Sequence, residues 1–127
     1  MKFVSTNQAA PPGGHYSQAV VANGVAYLSG ILPVGIRGDM NPGLSFAEQA
    51  ALVLRHATEI LRDAGSGLDR VVKSTVFVTN IEDWGVFDTL YAETFRSHRP
   101  ARAVVPVPGL HHGFLVELDM IALVTPR

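Results

Sequence analysis

The stretch RVVKSTVFVT, Arg70 to Thr79, decides how the chain is read. It is rich in β-branched residues and apolar at positions of both parities, so both of its pleat faces ask to be covered. That is the pattern of a central strand, with helices over one side and more protein over the other. The segments on either side of it read as those helices. Upstream, Ser45 with Glu48 three residues later forms a capping box, and Phe46, Ala50, Val53, Leu54, Ala57, Ile60, Leu61 and Ala64 keep a 3.6-residue period. Gly65 then reads as the C′ glycine that ends the helix. Downstream, the sequence predicts a second helix from Glu82 to Arg96, with Trp84, Phe87, Leu90, Tyr91 and Phe95 as its apolar stripe and Pro100 beyond its end.

Shorter strands complete the sheet. HYSQAVVA, His15 to Ala22, and VAYLSG, Val25 to Gly30, flank Asn23-Gly24, the strongest short-range hairpin signal. Leu32 to Leu44 holds three glycines and two prolines without a period and reads as an excursion loop. Two further strands, Ala101 to Val107 and Phe114 to Thr125, are joined by PGLHHG. Pro106 and Pro108 cannot donate to a ladder, so the first of these belongs at a sheet edge. The order ββαβαββ describes one α+β domain over residues 1–127, with two helices on one face of a mixed sheet. The other face, assigned Val72, Val76, Val78 and the apolar alternates of the last strand, is too apolar for water, and packing against further copies would cover it.

Composition narrows the function. Of 127 residues, 47% are hydrophobic and 17% charged, and the formal net charge is −1. No summed positive field draws in a polyanion, so nucleic acid is not an expected partner. The absence of cysteine excludes disulfides, thiolate catalysis and cysteine zinc sites. No apolar run approaches the ~20 residues of a membrane span and the start lacks a secretory h-region, so no membrane association and a cytoplasmic location are expected.

Arg102 is the first candidate for chemistry. In a pocket its guanidinium is a natural bidentate holder of a carboxylate; on a surface it would snorkel or close a structural ion pair. Glu117 and Asp119, two apart in the last strand, share a face with Ile121 and Leu123. One of these acids is equally readable as Arg102's structural partner or as a base that deprotonates water. Tyr16, Ser17 and Ser29 supply hydroxyls at strand ends. His15, His111 and His112 lack metal-ligand spacing, so no metal is expected and they read as surface or pocket-lining groups.

Several fragments in order along the chain resemble a known family: YSQAV at Tyr16 to Val20, LSG at Leu28 to Gly30, VVKSTVFVTN at Val71 to Asn80, YAETF at Tyr91 to Phe95, PARAVV at Pro100 to Val105 and LVELDMIA at Leu115 to Ala122. Together they are similar to the Rid proteins, the reactive-intermediate deaminases, also called the YjgF family or L-PSP endoribonucleases. The resemblance implies a chorismate-mutase-like α+β fold, a homotrimeric barrel and pockets at subunit interfaces. It implies hydrolysis of small 2-imino acids, such as 2-iminopropanoate from 2-aminoacrylate, to 2-keto acids and ammonia, with no cofactor. It assigns Arg102 to the substrate carboxylate and Glu117 to the attacking water. Tyr16, Ser29, Asp88, Ala103 and Val104 become substrate-binding positions. The chain departs from the family pattern at His15 for a proline, Ile31 for a glutamine, Asp88 for an asparagine, and His111 and His112 for a proline-lysine turn. A trimer that only binds a small carboxylate, a specialised catabolic deaminase or hydrolase, and an endoribonuclease are the other functions compatible with the resemblance.

Overall fold

A computed structural model describes residues 1–124 of the chain. Six strands form one sheet in the order β1-β2-β3-β6-β4-β5, and two helices accompany it. The strands are β1, Lys2–Val4; β2, Ala19–Ala22; β3, Val25–Leu28; β4, Val71–Val78; β5, Ala101–Pro106; and β6, Val116–Leu123. The helices are α1, Phe46–Asp63, and α2, Trp84–Phe95. All pairings are antiparallel except β4 with β5, whose connection runs through α2. The expected central strand is β4, flanked by β6 and β5, and β5 lies at the sheet edge as its prolines require. No helix among the described residues is long and apolar enough to cross a membrane.

The local signals act as written. Asn23 and Gly24 both have positive φ, 51° and 75°, and close the β2–β3 hairpin. Ser45 and Glu48 exchange both hydrogen bonds of a capping box at the start of α1. At its end Gly65, with φ 82°, lets the Ser66 amide reach the Leu61 carbonyl and its own amide reach that of Arg62, closing a Schellman motif. The apolar stripe of α1 is buried throughout.

Other expectations need correction. The chain opens with a strand, β1, that the polar N-terminal residues did not announce. The second helix begins at Trp84 after a 3-10 turn over Ile81–Asp83, and Trp84 itself is exposed whereas Phe87, Tyr91 and Phe95 are buried. The last strand stops at Leu123, and its expected end at Thr125 lies outside the described residues. Val76 and Val78 do not line the bare face; both are fully buried in the core with Val116, Leu118, Met120 and Ala122. A register shift between Val71 and Lys73 marks a bulge that turns Val72 outward, breaking the parity on which that expectation rested. The face away from the helices carries Thr75, Phe77, Tyr27, Ile121 and Leu123 instead, together with Glu117 and Asp119. Tyr27 and Leu123 leave apolar surface exposed on it.

Candidate active site

The chain holds Arg102 from below and beside. Pairing with Ser74 puts it on the helix face of β5, where its Nη1 donates to Asp88 Oδ1 at 2.9 Å and its guanidinium stacks 4.8 Å from the Tyr91 ring centroid. Tyr91 is fixed by a buried hydrogen bond with Ser74 and by Phe87 and Phe95 on either side. The Arg102 side chain is 22% exposed and Asp88 49%, so the pair sits at the rim of the molecule. A single acceptor on Nη1 leaves the other donors of the guanidinium to a ligand. Asp88 is therefore the acid beside Arg102. Neither Glu117 nor Asp119 takes that place, because both lie on the opposite face of the sheet and two strands away.

Glu117 pairs with Phe77 and is half-buried on the open face. Burial pushes its carboxyl up from the ordinary glutamate range; the charge of His111 pulls it down and that of Asp119 pushes it up again. The Asp119 carboxyl is raised too, mainly by burial, against a hydrogen bond from the Thr75 backbone and the charge of Lys73. Gly30 backs onto the Glu117 carboxylate so closely that an added Cβ would collide with Oε2. Beside it the Ser29 hydroxyl donates to the Ser17 carbonyl at 2.6 Å.

Ser29 and Gly30 also form one wall of a cavity of about 470 Å³ that runs under the sheet end toward α1. Tyr16, Ile31, His111 and His112 share that wall. The loops around it are pinned by buried amides. Gln18 donates to the carbonyls of Thr6 and Ala10 and accepts from the Thr6 amide, which holds the segment leading to Pro11–Tyr16. Gln49 donates to the carbonyls of Pro42 and Leu44 and accepts from the Leu115 amide, which sets the turn before β6. In that turn His112 and Gly113 take positive φ, 65° and 76°, and both His111 and His112 line the cavity.

Of the positions expected to bind substrate, Tyr16 and Ser29 come together in the cavity wall, with Gly30, not among those positions, between them and Glu117; Arg102 and Asp88 form a second group elsewhere. Ala103 is exposed on the open face and Val104 packs against the core, so only its backbone is free to meet a ligand. His15 is exposed and outside the cavity wall. His56, which no motif marked, is fully buried in α1 and lines the cavity's inner end. Gly30 and His56 were missed because neither residue type carries a local signal; each is defined by what packs on it. Among the described residues no three or more His, Asp or Glu side chains converge as metal ligands would.

The model of the family described as Endoribonuclease L-PSP matches residues 6–124. The RutC family protein UK114 of Drosophila melanogaster is 39% identical over 125 residues, covering 96% of this chain and 88% of that one. The 2-iminobutanoate/2-iminopropanoate deaminase of Rattus norvegicus is 36% identical over 126 residues, 98% of this chain and 91% of that one. The crystal structure of yeast Mmf1 superposes with a TM-score of 0.93 at 34% identity, over 98% of both chains. With the family model, the full-length relatives and the six-stranded topology in agreement, this chain belongs to the Rid family, the YjgF or L-PSP endoribonuclease family.

Proposed function

We propose that the chain is a cofactor-independent deaminase that hydrolyses 2-imino acids, such as 2-iminopropanoate, to 2-keto acids and ammonia in a homotrimer whose sites lie between neighbouring copies. The observation that carries this reading is the separation of Arg102 from Glu117. One chain holds a carboxylate-binding guanidinium on the helix face of its edge strand and a water-activating carboxylate on the open face of the same sheet. Neither group completes a site alone. Two copies that cover each other's open faces bring the Arg102 of one to the Glu117 of the next. The relatives named as imine deaminases support the same chemistry.

In such a site the free donors of Arg102 hold the substrate carboxylate, and Asp88 and Tyr91 fix the angle of the fork. The guanidinium charge draws electron density from the adjacent imine carbon. Glu117, raised by burial, is a stronger base than a solvated carboxylate and takes a proton from water as its oxygen bonds to that carbon. The substrate reacts as its protonated iminium, so the C=N π pair moves onto nitrogen and the neutral carbinolamine forms. Glu117 then returns its proton to the amine nitrogen, the C–N bond breaks as ammonia leaves, and the ionised Glu117 takes the hydroxyl proton to give the keto acid.

Mixing separately purified Arg102→Ala and Glu117→Gln variants tests the shared site. Each variant alone is expected to be inactive, and exchange of subunits should restore activity at about a quarter of the interfaces. Activity that stays absent in verified mixed trimers places both residues in one copy's site and overturns the arrangement. A wild-type protein that binds 2-keto acids without accelerating imine hydrolysis is a binding protein instead.

A further inference from the structure

The cavity behind Ser29 and Gly30 has no part in the chemistry just described, and its character is specific. About 470 Å³ is within the range of small-molecule sites and far beyond what the methyl group of 2-iminopropanoate needs. Pro11, Pro12, Ile31, Leu32, Val34 and Ile60 give it an apolar lining. Its titratable lining residues among those described are Tyr16 and three histidines, with no carboxylate, lysine or arginine. Ile31 stands where the family pattern has a glutamine, and here it is buried apolar surface.

His56 closes the inner end as an uncharged group. Its Nε2 faces the Val34 carbonyl, which only accepts, so Nε2 carries the proton. Nδ1 is left as a bare acceptor and is the one buried side-chain polar atom without a partner among the described residues. Burial and the charge of Arg55 keep the ring neutral against the pull of that hydrogen bond.

Resting on the deaminase reading above, we infer that this cavity receives the substrate's side chain, and that the protein is selective for 2-imino acids with large, uncharged, apolar side chains. The continuity is physical: Gly30 and His111 both line the cavity and both reach Glu117, since a Cβ on Gly30 would collide with its Oε2 and the His111 charge acts on its carboxyl. A substrate whose imine carbon stands at Glu117 therefore has the cavity beside it for its side chain. A branched aliphatic or phenyl group would fill a volume whose lining is mostly apolar. A guanidinium side chain would lose its hydration with no opposite charge in the lining, and a carboxylate would have only the exposed imidazoles of His111 and His112 to pair with.

The test compares imines generated in situ from leucine, phenylalanine, alanine and glutamate, together with direct calorimetric binding of the matching 2-keto acids to wild-type trimer. Each buried methylene contributes about fourfold in affinity, so leucine- and phenylalanine-derived imines should exceed the alanine-derived one at least about tenfold in kcat/KM, with the glutamate-derived one lowest. Val34→Trp, which fills the cavity from the loop side, should reduce the large-to-small ratio by about tenfold. Turnover of the alanine-derived imine with equal or slower turnover of the large ones overturns the side-chain pocket and leaves the deaminase reading intact. If no imine is turned over, the deaminase reading fails, and the keto-acid titration decides the pocket on its own. Tighter binding of 4-methyl-2-oxopentanoate and phenylpyruvate than of pyruvate supports it, and equal binding overturns it.

Discussion

At Gly30 the backbone itself is the contact surface for a carboxylate. A methyl group there would push against Glu117 Oε2, the free end of a flexible side chain, so the fold yields easily while the carboxylate shifts. Gly30→Ala is expected to lower kcat about a hundredfold, as misplacement of a catalytic group by about an ångström does, with trimer mass and melting temperature little changed. Full activity in Gly30→Ala would remove Glu117 from the water-handling role. The neighbouring charge makes a second prediction. Glu117 must be ionised to act as a base, and burial raises its pKa, so the acid limb of kcat/KM should lie above the ordinary glutamate range. Where His111 is charged it holds that pKa down. Removing the charge with His111→Ala lets the pKa rise further, and the acid limb should move to higher pH. A pH–rate profile that does not move would show that the imidazole and the carboxylate are uncoupled in the assembled site.

Among the elements, α1 carries the clearest local instructions. The capping box at Ser45 satisfies two amides that α1 itself leaves unpaired. Ser45→Ala should cost about 1 kcal/mol, read as a fall of several degrees in melting temperature. This helix, the Asn23-Gly24 hairpin and the edge strand before Pro106 were legible in the sequence because each depends on residues adjacent in the chain. The short strand β1 was not, since it exists only by pairing Phe3 with Val20. Val72 turned out of the alternation because a bulge needs a partner strand to be defined. Trp84 fits the helical period of α2 and is nonetheless exposed, because the period does not say which turns of a helix another element covers.

For the whole molecule the open sheet face sets the behaviour. Phe77, Tyr27, Ile121 and Leu123 lie on it with Glu117 among them, so in the proposed trimer covering the face and building the site are one event. Ile121→Lys places a charge on that face without touching the core side of β6, where Met120 and Ala122 are buried. It should give a single-chain mass in sedimentation, retained β structure and loss of deaminase activity. An active protein of single-chain mass would overturn the shared site. The sequence by itself determined that Glu117, Asp119, Ile121 and Leu123 share a face, because alternation within one strand is local, and it offered Arg102 and Glu117 as candidates for the proposed chemistry. Only the tertiary structure decided that Arg102 faces the helices beside Asp88 while Glu117 faces away. The face a residue takes relative to another strand is set by pairing register and bulges, which join residues far apart in the chain.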